Sequence, residues 1–206
     1  MFDGWCADTL VAGEHRTWDG QWPDALVACQ QFHRALEGMP PPPFQHRRDD
    51  IFAIADRVVW GEHSVEVDGP IASALDELAG LTRPIASLSQ LIHGDVAGNL
   101  LFARGLPPAV IDFSPYWRPA GHAVAQTIVD AILWYGADVS LVVAASDVAE
   151  LDQFLVRALA FRLLLDALQL DAETPTARFQ PTQVQRDLDH AASLIAFLRA
   201  ETGTAP

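Results

Sequence analysis

The chain has 206 residues, enough for one large domain or two small ones with a substantial core. Half of its residues are hydrophobic and 19% are charged, which excludes an intrinsically disordered chain. The formal net charge of −14 argues against a nucleic-acid backbone or an anionic membrane as the main partner. We therefore expect a globular protein that acts on neither nucleic acids nor membranes.

The N-terminus and the cysteines indicate where the protein resides. The first four residues lack the basic start and the apolar run of a signal peptide. Cys6 and Cys29 are far apart, and no histidine accompanies either at zinc-site spacing. Four charged residues interrupt the most apolar tract, residues 151–170, so it predicts a buried helix rather than a membrane span. Two cysteines without a secretory leader favour reduced thiols and a cytoplasmic location.

The first half of the chain predicts a short strand within residues 1–14 and then three helices. The first helix begins near Pro23 and stops at Gly38, and we expect a core or capping role for His33 beside its apolar face. Prolines at 40–43 form a stiff connector. A second helix follows the caps at 49–50, and a third occupies residues 70–80.

Two short apolar runs at the centre of the chain are each followed by acidic or amide side chains. Residues 91–92 lead into a turn at His93-Gly94-Asp95, and the chain returns through 100–102 and 110–111 to Asp112. We interpret residues 90–114 as a hairpin that carries Asp95, Asn99 and Asp112 to one end. There, one carboxylate could orient a hydroxyl and accept its proton. An amide oxygen and a second carboxylate suit Mg²⁺ held against phosphate oxygens.

Residues after Asp112 predict a loop and a helical bundle. Residues 114–119 indicate an aromatic loop framed by prolines, and 122–135 a helix with Tyr135 on its inner face. Further helices are expected over 137–145, 148–170 and 181–200. Because Arg157 and Arg162 lie in a helix that is apolar nearly all round, they should pair with carboxylates or sit at its ends.

The motif His-x-Asp, followed by Asn99 and then by Ile-Asp-Phe, resembles the aminoglycoside phosphotransferase and choline kinase-like family. These enzymes are distant relatives of protein kinases, and the chain is most similar to an actinobacterial branch of the family. The resemblance covers nearly the whole chain and implies their large C-terminal lobe. It implies Asp95 as catalytic base, Asn99 and Asp112 as Mg²⁺ ligands, ATP as donor and a small-molecule hydroxyl as acceptor.

The sequence departs from the family in three places. Asp95 and Asn99 are four positions apart where the kinase pattern has five, and Ser114 stands where protein kinases usually have glycine. The Asp-Pro-x-x-Asp signature that many of these phosphotransferases carry is also missing, since residues 118–122 read Arg-Pro-Ala-Gly-His. The resemblance implies a mainly α fold with a small β-hairpin. It divides one domain, 1–206, into a hinge-strand remnant at 1–14 and a helical lobe at 15–206.

All thirteen basic residues are arginines, so the chain cannot supply the lysine with which kinases hold ATP phosphates. With the ATP-binding lobe absent before the hinge, we expect a phosphotransferase that is incomplete or weakly active. The alternative is an inactive, pseudokinase-like lobe that serves as a binding module or is a truncated fragment. A metal hydrolase built on His93, Asp95 and Asp112 is less favoured, because no further histidine or carboxylate cluster completes its ligands. An uncovered hinge face around Phe2, Trp5 and Leu10 predicts self-association.

Overall fold

The fold is known from a computed structural model, which describes residues 10–15, 21–44, 47–170 and 181–202. It is mainly helical, as the sequence predicts. The helices are α1 (Trp22–Ala35), α2 (Ile51–Val59), α3 (Gly69–Leu81), α4 (Ala120–Tyr135), α5 (Leu151–Leu170) and α6 (Pro181–Thr202), with a 3-10 helix at Val139–Ala145. The strands are β1 (Gln90–His93), β2 (Leu100–Leu101), β3 (Ala109–Val110) and β4 (Pro115–Arg118).

The short strands form two separate antiparallel pairs rather than one hairpin over 90–114. Strands β2 and β3 pair as a small hairpin, but β1 pairs with β4, with Leu91 opposite Trp117. The predicted aromatic loop at 114–119 is therefore wrong, since most of it is strand β4. Pro115 is the first residue of that strand, a position where a missing backbone N–H is tolerated. The β1–β4 pairing brings the start of the His93 turn beside the segment that follows Asp112.

Helix boundaries follow from local capping. The Asp50 side chain accepts a 3.0 Å hydrogen bond from the Ala53 N–H and so starts α2, as predicted. Helix α4 ends where Gly136 adopts a φ of 71°, the left-handed conformation common just after helices. Tyr135, predicted to point inward, is 46% exposed. The predicted helix at 137–145 is a 3-10 helix from Val139 to Ala145.

Helices α4 and α5 form the centre of the structure and pack against each other. The main buried cluster draws residues from α1, α3, α4, α5 and α6, and a smaller one joins α2 to α5 through Ala55 and Phe161. Arg118 on β4 connects the β1–β4 pair to α2. Its guanidinium lies 2.7 Å from a carboxylate oxygen of Asp56 and 2.7 Å from one of Glu62. The core thus holds the β1–β4 pair against the helices.

Residues 10–15 are the described part of the predicted hinge strand; residues 1–9 lie outside it. Glu14 and Phe102 exchange two backbone hydrogen bonds of 3.1 Å, which anchor this segment beside β2. A side chain at Gly13 would place its Cβ 2.8 Å from the Leu101 Cβ, so the close approach requires glycine. Leu10 is 96% exposed. Self-association through this face stays a prediction, and Phe2 and Trp5 fall outside the described residues.

None of the described helices combines the length and the apolar character needed to cross a membrane. Helix α5 carries four charged residues, two of them arginines that the fold buries. The sequence-based interpretation of α5 as a buried helix is therefore confirmed.

Candidate active site

His93, the last residue of β1, lies in the interior, and Asp95, two residues later, lies at the surface. The His93 side chain is fully buried, whereas that of Asp95 is 46% exposed. Gly94 between them packs against the Tyr116 ring of β4, where an added Cβ would lie 2.5 Å from two ring carbons. The Gly94 N–H donates a 2.9 Å hydrogen bond to the Ser114 carbonyl, which extends the β1–β4 pairing by one step. The turn therefore presents the Asp95 carboxylate beside the chain that follows Asp112.

The His93 ring joins the two segments that carry the predicted site residues. Its Nε2 lies 3.2 Å from the Ile111 carbonyl oxygen, which can only accept, so Nε2 carries the proton. Its Nδ1 accepts from the backbone N–H groups of Asp95, at 3.1 Å, and Ser114, at 3.3 Å. Burial lowers the pKa of His93, which favours this neutral form. One buried imidazole thus fixes the backbone on both sides of the candidate site.

Asn99 also connects the same two segments. Its Nδ2 donates to the Asp95 carbonyl at 2.8 Å and lies 3.4 Å from an Asp95 carboxylate oxygen. Its backbone carbonyl accepts a 3.0 Å hydrogen bond from the N–H of Ile111, the residue before Asp112. Because the amide nitrogen faces Asp95, the amide oxygen is the atom left to meet a cation. The four-residue spacing between Asp95 and Asn99 therefore still brings them into contact.

Asp112 is exposed and has a φ of 49°. A left-handed conformation is uncommon for residues with a side chain, although aspartate tolerates it better than most. Such residues are concentrated at functional sites, where the surrounding structure holds them in place. Here hydrogen bonds fix the backbone before and after Asp112. Ile111 is hydrogen-bonded to the Asn99 carbonyl and to the His93 ring, and the Ser114 N–H donates to the His93 ring.

The donor set fits Mg²⁺ only in combination with phosphate. Asn99 and Asp112 offer one amide oxygen and one carboxylate, both hard ligands of the kind that Mg²⁺ takes, and Mg²⁺ completes its shell with water and phosphate oxygens. Among the described residues, no group of three or more histidine, cysteine, aspartate or glutamate side chains could hold a metal by itself. Both nitrogens of His93 are engaged with backbone groups, so His93 cannot serve as a ligand of a hydrolytic metal.

A buried ion pair lies next to Asp95, and the sequence pattern did not identify Asp130 as one of its members. Arg162 of α5 contacts Asp130 of α4 through two 2.6 Å contacts, and the Asp130 side chain is fully buried. The same guanidinium lies 3.5 Å from an Asp95 carboxylate oxygen. The predicted pairing of Arg162 with carboxylates is thus confirmed. The corresponding prediction for Arg157 is wrong, since Arg157 donates to the carbonyls of Gln153 and Arg83.

A cavity of about 210 Å³ opens next to Asp95. Its polar lining includes Asp95, Ser114 and the arginines Arg48 and Arg162. Its other walls are mainly aromatic: Phe52, Tyr116, Trp134 and Phe161. The Arg48 guanidinium stacks over the Tyr116 ring at 4.9 Å and bonds to Asp50, which keeps it at the wall. The cavity has the composition of a small-molecule site, apolar walls with a few placed polar groups.

The comparisons with known proteins yield no match: no family model, no curated protein and no solved structure is significantly similar to this chain.

The geometry brings together Asp95 and Asn99 by direct contact, and joins Asp112 to them through the bonds of His93 and Ile111. It adds Arg162, Asp130 and Tyr116, which pattern and spacing did not assign to the site.

Proposed function

We propose that this chain is the catalytic lobe of a kinase-like phosphotransferase that uses ATP to phosphorylate a hydroxyl of a small molecule. The observation that carries the proposal is the His93 ring, which hydrogen-bonds to the segments of Asp95 and Asp112 at once. Two carboxylates and an amide in that arrangement match the needs of phosphoryl transfer, which depends mainly on positioning and charge.

In this proposal Asp95 acts as the base. Its carboxylate is half exposed at the edge of the 210 Å³ cavity, where an acceptor hydroxyl could donate to it. Asn99 and Asp112 would hold Mg²⁺, which when bound with ATP neutralises charge on the phosphates. His93 and Asn99 keep the Asp95 backbone in place, so the carboxylate need not reorganise on binding.

The aromatic walls of the cavity favour an acceptor with an apolar face or a sugar-like ring. Arg48 and Arg162 at the same walls would receive polar groups of the acceptor. The volume, about 210 Å³, restricts the buried part of that acceptor to a small molecule.

We expect slow turnover from these 206 residues alone. They contain no lysine, and the phosphates of ATP would lack the charge that a kinase lysine supplies. Loss of one such stabilising charge costs several kcal/mol, which corresponds to a rate reduction of roughly a thousandfold or more.

The alternative is an inactive lobe that binds a ligand without transferring phosphate. One observation favours it: Arg162 lies 3.5 Å from Asp95 and competes with an acceptor hydroxyl for the carboxylate.

The two functions are separated by transfer from radiolabelled ATP to a panel of hydroxylated and amino-sugar acceptors. We expect slow, Mg²⁺-dependent transfer that disappears in Asp95→Ala and persists in Asp189→Ala, a matched change of an exposed carboxylate on α6. Absence of any transfer that depends on Asp95 would favour the inactive lobe. Transfer at ordinary enzyme rates would show that the chain holds ATP in another way and would refute the expected slow turnover.

A further inference from the structure

A second cavity, of about 530 Å³, lies between α2, α3 and α5 and shares no lining residue with the one beside Asp95. Its lining is mainly aliphatic: Val58, Val59, Val65, Val67, Leu75 and Leu164. The volume lies in the range of roughly 300–1,000 Å³ that is typical of small-molecule sites. Asp76 lines the cavity and is exposed, so it marks the solvent side.

Two residues that line this cavity, Trp60 and Arg157, each carry a buried donor without a hydrogen-bond acceptor among the described residues. In the described part of the chain, neither the indole Nε1 of Trp60 nor the Nε of Arg157 has a partner. The Arg157 guanidinium lies over the Trp60 ring, 5.2 Å from its centroid, so the two donors belong to one stacked pair. Buried donors of native proteins are nearly always satisfied, and an unsatisfied one requires an explanation.

Arg157 also differs in charge balance from the other buried arginines. Arg118 contacts two carboxylates, Asp56 and Glu62, and Arg162 contacts Asp130 and Asp95. Arg157 donates instead to the neutral carbonyls of Arg83 and Gln153, and no carboxylate of the described residues forms an ion pair with it.

A buried guanidinium without a carboxylate at ion-pair distance is costly, and Arg157 is buried, with the charge of Glu150 acting on it only from further away. Burial lowers the pKa of Arg157, but an arginine remains charged at neutral pH. A bound anion would supply the missing acceptor and a negative charge in direct contact with the guanidinium. The aliphatic walls favour a ligand whose remaining part is apolar.

We propose that the cavity between α2, α3 and α5 binds an amphipathic monocarboxylic acid. Its carboxylate accepts hydrogen bonds from Arg157 and Trp60, and its apolar body lies among the valines and leucines. The exposed carboxylate of Asp76 disfavours a second anionic group at the solvent end. This site is distinct from the one proposed for phosphotransfer, because the two cavities share no lining residue.

Calorimetry of the full chain with sodium decanoate, below the concentration at which it forms micelles, tests the proposal. Decanol and decyltrimethylammonium are the neutral and cationic probes of the same length. We expect one decanoate per chain and binding of decanol at least about tenfold weaker, because a hydrogen bond to a charged group contributes more than one to a neutral group. Decyltrimethylammonium should not bind.

Three variants locate the site. Ala72→Phe fills the cavity from α3 and should abolish decanoate binding, and Arg157→Gln should weaken it about tenfold or more. Trp60→Phe removes only the indole donor and should weaken it less. Arg34→Gln makes the same chemical change as Arg157→Gln at an exposed position on α1 and should leave binding unchanged.

Three results would overturn the proposal: no saturable binding of decanoate, unchanged binding in Ala72→Phe, or equal affinity for decanoate and decanol. Because Arg157 also bonds to two backbone carbonyls, Arg157→Gln could fail to fold. The decanoate and decanol comparison on the unaltered chain then decides whether the carboxylate is recognised, and Ala72→Phe decides where.

Discussion

The backbone N–H of His93 donates a 3.0 Å hydrogen bond to Nε2 of His33. The other ring nitrogen of His33 lies 2.7 Å from the Cys29 carbonyl oxygen, which fixes its proton on Nδ1. A chain of hydrogen bonds therefore runs from helix α1 through His33 to His93, and from the His93 ring to the backbone of Asp95 and Ser114. The position of the candidate base depends on two buried imidazoles that must both be neutral.

This dependence predicts loss of stability in mild acid. Burial lowers the pKa of His33 from its usual 6.5 to about 4, and burial also lowers the pKa of His93. The unfolded chain takes up protons below about pH 6.5 while the folded imidazole does not, so His33 contributes stability above that pH and loses it as the pH falls towards 4. The loss from His33 alone should reach about 3 kcal/mol.

Urea unfolding at pH 7, 6, 5 and 4 measures this loss. In His33→Gln the decrease in unfolding free energy should be smaller than in the unaltered chain, whereas His63→Gln, at an exposed position, should reproduce the unaltered slope. An identical pH dependence in His33→Gln and the unaltered chain would rule out this role for His33.

Gly94→Ala should destabilise the site by steric conflict with Tyr116. The added Cβ would lie 2.5 Å from two carbons of a buried ring, so the turn or β4 must shift, at a cost of about 1–3 kcal/mol. Gly80→Ala is the matched control, because nothing lies within 4 Å of a Cβ there and helix propensity should raise stability by up to about 1 kcal/mol. Thermal unfolding compares the two variants. Equal stability in both would mean that Tyr116 does not pack on Gly94.

Asp130→Ala should be one of the most damaging single changes in the chain. It leaves the Arg162 guanidinium buried without its main partner, which typically costs about 3–5 kcal/mol. Glu77→Ala removes a carboxylate from an exposed pair with Arg199, at 3.0 Å, and should cost less than about 1 kcal/mol. Chemical denaturation of both variants checks the contrast. A small effect of Asp130→Ala would show that Asp95 or solvent replaces the lost carboxylate.

Much of the helical scaffold could be predicted because its signals are local. Asp50 caps α2 and Gly136 ends α4 as residues of those types usually do. Strand β4 could not be predicted in this way. The segment 115–118 is short, begins with a proline, and becomes a strand only by pairing with β1, which lies more than twenty residues earlier in the sequence. The tertiary fold decides which strand pairs with β4, so no local sequence pattern predicts the pairing.

The candidate site also has residues that local sequence signals predict and residues that only the tertiary fold reveals. Asp95, Asn99 and Asp112 stand out because polar residues follow short apolar runs. A charged residue inside an apolar helix, such as Arg162, predicts that a partner exists but does not say which one. Asp130 and Asp95 are 32 and 67 residues away from it, so only the tertiary packing, of α4 on α5 and of the turn after β1 beside α5, identifies them.

Mg²⁺ alone should bind weakly. Asn99 and Asp112 supply two oxygen ligands, and Mg²⁺ requires near-octahedral coordination, so without phosphates we expect a Kd on the order of millimolar or weaker. Calorimetric titration of the chain with MgCl₂ measures it. Micromolar affinity that disappears in Asp112→Asn would mean that the protein completes the coordination shell itself, contrary to the geometry described above.

The location of the metal–nucleotide site can be tested by NMR line broadening with Mn²⁺ and ATP on the nitrogen-labelled chain. Manganese takes oxygen ligands like those of magnesium, and it broadens the resonances of nearby nuclei. We predict selective broadening of the amides of residues 93–99 and 111–114 and of the Asn99 side-chain amide, with much less broadening in Asp112→Asn. Selective broadening elsewhere, or none at millimolar concentrations, would contradict the assignment of Asn99 and Asp112 as metal ligands.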